Sequence, residues 1–259
     1  MPETTVTLSR EELLAILTIT KLGSVLGLVP EPIEGISVEQ EAYGQICAER
    51  TLRARGLAHI TSENQLAIHK DLLSLVIACA RATQTIVISQ TAVRSGQTRR
   101  LYLHLHQNEW VVHAKPDPVI HALSRHQDKE GLASLMMAFC GWADRQSDHQ
   151  ETRPLQLHAE VLKQIQTQLQ NESTDAAIHA LDGMADAVNA RQLVRHLANP
   201  RVVTIIQQIE AADEDSFALH SWTISDDGTE LWRFIDNKQD SNLIDIQTVS
   251  YQTVLSLFQ

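Results

Sequence analysis

The sequence predicts an α+β protein of two quasi-symmetric halves, each made of helices followed by a three-stranded antiparallel sheet and a closing helix. Three observations predict it. Runs with helical apolar spacing and runs of β-branched or alternating residues follow one another in the same order twice along the 259 residues. A polar stretch without periodicity, RQSDHQETRP, separates the two passes and ends in Pro. The runs LYLHLH and EWVVHAK alternate as a sheet with two different faces requires. The halves are bounded at 1–144 and 155–259, with 145–154 as the linker and one shared domain as the alternative. The slight identity between them makes this a match of pattern, read as internal duplication.

In the first half, Ser9 and Glu12 stand at capping-box spacing ahead of the helix EELLAILTITKLG. LVPEPIEGI is a Pro-containing loop. EAYGQICAERTLRARG is a helix closed by Gly56, because glycine enters the left-handed region without a Cβ clash. HKDLLSLVIACARA is the third helix, and TIVISQTAV is a strand by its β-branched content. The turn RSGQT leads to LYLHLH and EWVVHAK. After Pro116 and Pro118, VIHALSRH and GLASLMMAFCGW are expected as helices.

The second half opens with LHAEVLKQIQTQL, where Val161, Leu162, Ile165 and Leu169 form an apolar stripe. AAIHALDGMADAV and ARQLVRHLA continue as helices. RVVTIIQQIEA, FALHSWTIS and LWRFID are strands, and VSYQTVLSLF is a terminal helix. A three-residue loop, Asp226-Asp227-Gly228, places Trp222, Ile224, Trp232 and Phe234 together on a core face, where rings pack more often than they bind ligand.

A hydrophobic content of 43% suits a globular chain. The net charge of −11 divides into −2 for residues 1–150 and −9 for residues 151–259, which opposes nucleic acid and anionic membrane as partners. The start MPETTVTLSREELL lacks the basic and apolar regions of a secretory signal, and the longest apolar run, Leu72–Ala80, is too short to span a bilayer. Cys47, Cys79 and Cys140 are far apart among apolar neighbours, the pattern of free thiols in the cytoplasm.

The densest chemistry lies in LYLHLHQNEWVVH. With Gln107 and Asn108 as a two-residue loop, His106 faces Glu109, His104 faces Val111 and Tyr102 faces His113, all on one side of the hairpin. Leu101, Leu103, Leu105, Trp110, Val112 and Ala114 make the other side, which is the expected core face. His104, His106 and His113 are the candidate metal ligands, since a His-x-His pair with a third His on the next strand approaches zinc geometry. His113 lies diagonally to His104, however, and a wet polar face accounts for the same residues. No metal or other cofactor is therefore expected.

Nucleophile-elbow, zincin, Walker and dinucleotide motifs are absent, and no enzyme activity is expected. Asp213-Glu214-Asp215 reads as a solvated turn. Arg50, Arg53 and Arg55 lie in ERTLRARGLAHI, which resembles a phrase of winged-helix regulators, but no basic recognition helix follows. Arg94, Gln97, Arg99 and Arg100 sit in and beside the turn SGQT, a positive projection on an acidic protein and a contact point for a protein partner.

Two blocks, AERTLRARGLAHITSENQLAIHKDLLSLVIACARAT running toward Trp110, and NPRVVTIIQQIEA through DGTELWRFID to the final helix, resemble the EspG family, cytosolic chaperones of type VII secretion systems. The resemblance spans most of the chain as an order of elements and has no diagnostic short motif. The chain departs from the family in being rich in Gln and His. The resemblance implies an α+β fold of two quasi-symmetric halves and a helical secretion substrate as partner, docked near Arg94 to Arg99 and the second-half helices. The expectation is thus a non-enzymatic cytoplasmic binding protein, with self-association compatible. A metal-binding module or metal-dependent enzyme using the histidine cluster, and a DNA-binding regulator, are the alternatives.

Overall fold

Ser9 ends a short strand, β1 (Val6–Ser9), and caps the helix α1 (Arg10–Thr20). Its hydroxyl accepts from Glu12 N at 3.1 Å, and the Glu12 carboxylate accepts from Ser9 N at 2.9 Å. The predicted capping box therefore satisfies two amides that a helix start leaves unpaired. In this computed structural model, residues 5–28, 37–126, 128–142, 154–213, 216–237, 239–240 and 242–256 are described. The Pro-containing loop at 29–36, the linker up to residue 153, and Glu214 with Asp215 lie outside the described residues.

The next helix, α2 (Val38–Ala54), stops where Gly56 takes φ 70° and donates to Arg53 O, as its position predicts. A small sheet of β2 (Ala58–Ile60) and β3 (Leu66–Ile68) precedes α3 (Lys70–Ala80). Four strands follow: β4 (Gln84–Ala92), β5 (Thr98–His106), β6 (Glu109–Asp117) and β7 (Ile120–His126), then α4 (Lys129–Cys140). The second pass is β8 (Leu155–His158), α5 (Ala159–Gln170), α6 (Thr174–His179) and α7 (Ala187–Ala198). It continues with β9 (Val202–Asp213), β10 (Ser216–Asp226), β11 (Leu231–Asp236), β12 (Leu243–Thr248) and α8 (Tyr251–Ser256).

The fold is α+β, as predicted. The main strands hydrogen-bond in the order β1-β7-β6-β5-β4-β9-β10-β11-β12-β8. Among the described residues each half holds four long strands where three were expected, and the additions are β7 and β12. VIHALSRH was expected as a helix, but Ile120–His126 pairs antiparallel with β1 on one side and β6 on the other. Backbone bonding on both edges outweighs the helical propensity of so short a run. β12 is likewise held between β11 and β8.

The chain forms two compact units. Unit 1 comprises residues 1–87, 100–132 and 208–219. Its core joins Leu13, Ile16, Leu52, Leu72 and Val76 of α1, α2 and α3 to Val111 and Leu123 of the sheet. Unit 2 comprises residues 88–99, 133–207 and 220–259. There Ile165, Ala177, Leu193 and Val194 of α5, α6 and α7 pack on Trp232 and Ile246. No helix among the described residues is long and apolar enough to cross a membrane.

Candidate functional site

Gln107 and Asn108 adopt φ 50° and 65°, the paired left-handed geometry of a tight hairpin turn. That turn fixes the expected register: His106 opposite Glu109, His104 opposite Val111, and Tyr102 opposite His113. β7 then places Leu123 opposite His113. The histidines thus share their face with Val111 and Leu123, which belong to the helix-packed core.

The expected wet side is therefore the helix-covered side, and this corrects the sequence reading. His104 and His113 are wholly buried, and His121 of β7 joins them at 1% exposure. Leu101, Leu103 and Val112 on the reverse are buried too, so the hairpin has no solvent face at these positions. Tyr102, His104 and His113 stack with ring centroids 5.3 to 6.4 Å apart. Thr85 Oγ1 bonds His104 Nδ1 at 3.1 Å, and His113 Nε2 bonds His121 Nδ1 at 2.7 Å. Neutral imidazoles can be buried when they partner one another, which an alternation rule does not foresee.

Burial sets the electrostatics. It pushes His104 down to about 4. Burial also brings His121 to about 4, with Lys115 and Arg10 adding and Glu11 opposing. His113 falls well below the ordinary histidine range, first through burial and then through His104, His121 and Lys115, while the Leu26 backbone opposes. Burial raises Tyr102, and Arg100 offsets part of this. The cluster is an uncharged packing element at neutral pH.

The three candidate ligands do not converge. His106 bonds the Arg81 carbonyl at 2.8 Å instead. Among the described residues, no group of three His, Cys, Asp or Glu side chains is placed to hold a metal ion. The histidine that does join His104 and His113 is His121, hidden from sequence reasoning in a segment assigned as helix. Its alternation with Leu123 was the signal that could have revealed it.

The chain also closes over the cluster. Val25 and Leu28 are buried, and between them Gly27 takes φ 95°. A Cβ there would stand 2.8 Å from the Tyr102 ring. Gly27→Ala is thus expected to cost about 2 kcal/mol through both the left-handed backbone and the clash, read as a lowered urea midpoint.

In unit 2 the register of the second hairpin differs from the sequence reading. Asp226 pairs with Leu231 and Ser225 with Trp232, so the loop is one residue longer than expected. The Asp227 carboxylate accepts from Thr229 N, Thr229 Oγ1 and Glu230 N, and these bonds extend the turn. The partner of Trp232 thus moves from Trp222 to Ser225, an odd shift of three that puts Trp232 and Phe234 on the face opposite Trp222 and Ile224. Trp222 and Trp232 therefore form no joint platform.

His196 of α7 reaches Ser225 Oγ at 2.8 Å and Asp227 Oδ2 at 3.3 Å. Burial lowers His196 and Asp227 opposes. Burial acts to raise Asp227, but the Glu230 and Thr229 hydrogen bonds and His196 outweigh it and hold it at about 2. The connectivity is that of a nucleophile, base and orienting acid, yet Ser225 is 5% exposed and His196 1%. Such burial makes the set a fastening of α7 to the hairpin turn.

The predicted partner contacts fall in two groups. Arg94 and Gln97 are exposed in the β4–β5 turn beside Val93, itself 43% exposed. Arg99 is committed to β4 and α4: it donates to Gln90 Oε1 at 2.8 Å and to the Phe139 carbonyl, and its guanidinium lies 4.7 Å from the Phe139 ring centre. Arg100 belongs to unit 1 and hydrogen-bonds Tyr102. All three cysteines are free; burial raises Cys79 and pushes Cys140 up to about 12.

No family model matches the chain, and no curated protein matches it in sequence. Among solved structures, it is similar to one described as the Mycobacterium tuberculosis type VII secretion system chaperone EspG5 in complex with a PE25–PPE41 dimer. The TM-score is 0.66 at 12% identity, covering 98% of this chain and 94% of the other. At that identity the likeness is one of fold.

Proposed function

We propose that this chain is a non-enzymatic, cytoplasmic binding protein that holds a helical protein partner in soluble form, as chaperones of the EspG kind do. The fold likeness to EspG5 over 98% of the chain carries the reading. Two features support it. The β4–β5 turn offers a cation, Arg94, beside exposed apolar surface at Val93. The buried imidazoles serve packing, so the densest chemistry in the sequence is used for structure.

Co-expression with PE–PPE-type helical proteins of the native host, followed by affinity purification, tests this. A stoichiometric complex that keeps the partner soluble is the expected result; recovery of the chain alone from every pairing would refute it. Arg94→Glu is expected to weaken the complex about tenfold by titration calorimetry, since a charge at the rim of a contact steers and orients binding.

A further inference from the structure

The N-terminal half of α2 is almost bare. Val38 is 83% exposed, Tyr43 65% and Ile46 46%, and within this helix only Ala48 and Leu52 are buried. Glu39, Ala42, Ile46, Glu49 and Arg53 follow at alternating spacings of three and four, so they form one stripe along the outer face. Tyr43 and Arg50 flank it.

The stripe is ordered about its centre. Glu39 and Arg53 each lie seven residues from Ile46, about 10.5 Å along the axis in opposite directions. A reversed copy of the same helix, crossing at Ile46, sets Glu39 against Arg53 at both ends. It also sets Tyr43 against Glu49, and Ala42 against Arg50. Val38 then arrives opposite Ala54, at the edge of an open cleft of about 530 Å³ lined by Arg50, Arg53, Ala54, Ala58, His59 and Ile60. Ile60 is itself 41% exposed. Glu39 in the first turn and Arg53 in the last each suit the helix dipole, and in the reversed copy the same two charges pair across the contact.

The geometry points to a second copy of this chain as the occupant: two α2 helices pack antiparallel about a twofold axis through Ile46, with Val38 of each entering the cleft of the other. Such a contact is isologous, so each favourable pair occurs twice. Exposed ion pairs contribute little on their own, and Ile46, Tyr43 and Val38 supply the apolar contact. One helix pair buries area at the small end of specific interfaces, so the dimer is weak and depends on concentration.

Sedimentation equilibrium over a concentration series tests this independently of any chaperone role. The wild-type mass is expected to rise from 28.9 kDa toward twice that value. Ile46→Glu is expected to stay monomeric. E39R and R53E, both at exposed positions, should each raise the dissociation constant about tenfold, because like charges then meet at both ends. Mixed in equal amounts, the two variants carry complementary charges and should associate as tightly as the wild type. Circular dichroism and the thermal midpoint establish that each variant is folded. A wild-type mass fixed at 28.9 kDa at every concentration, or a mixture that associates no better than either folded variant alone, would overturn the dimer.

Discussion

Lowering the pH from 7 to 5 is expected to cost the fold on the order of 4 kcal/mol from His104 and His121, with His113 adding in the same direction. His104 and His121 sit at about 4 in the folded chain, below the ordinary 6.5, and His113 shifts the same way. The folded state therefore favours the neutral ring, while the unfolded chain takes up protons as soon as pH falls below 6.5. Between pH 6.5 and 4 the unfolded state binds more protons, so stability falls as the solution is acidified through that window and is fully present above it. Each ring contributes up to about 1.4 kcal/mol per pH unit there. His196 acts with the same sign. Urea midpoints at pH 7, 6 and 5 measure the slope, and NMR should find the His104 imidazole untitrated at pH 5. A midpoint unchanged from pH 7 to 5 would refute the burial of these rings.

Arg55→Met is expected to destabilise the chain by about 3 kcal/mol. Arg55 Nη1 donates to both Glu12 oxygens, at 3.0 and 2.7 Å, and Nη2 donates to Thr7 O at 2.6 Å. The Arg55 side chain is 39% exposed, but that of Glu12 is only 4% exposed. Removing the arginine leaves a buried carboxylate without its counter-charge, which costs far more than an exposed ion pair is worth. The second variant Glu12→Gln separates charge from shape. Glutamine keeps the capping box by accepting from Ser9 N and carries no charge, so E12Q/R55M should recover at least half of the loss. Equal urea midpoints for R55M and the double variant would show that the loss is packing alone.

These two expectations rest on different kinds of legibility. The capping half of the Glu12 site was readable, because Ser9 and Glu12 are three residues apart and the rule is local. Its partner Arg55, 43 residues away, was not. The β5–β6 register was also readable, since Gln107-Asn108 and the alternation on either side fix it together. The side that faces solvent was not, because alternation separates two faces without saying what covers either. His121 went unseen for a related reason: VIHALSRH becomes a strand through bonds to β1 and β6 that its own residues do not encode. In unit 2, the Asp227 hydrogen bonds lengthened a loop by one residue and moved Trp232 and Phe234 across the sheet.

By itself the sequence determined the α+β class, the helix starts at Ser9 and Gly56's closure of α2, and the pairing of His104 with Val111. All of these follow from backbone preferences and side-chain periodicity within a few residues. Only the tertiary structure decided that the imidazoles lie beneath the helices of unit 1, that Arg55 reaches Glu12, and that Val38, Tyr43 and Ile46 of α2 face water. Each of those depends on which distant segment arrives to cover a surface, and burial belongs to the assembled fold.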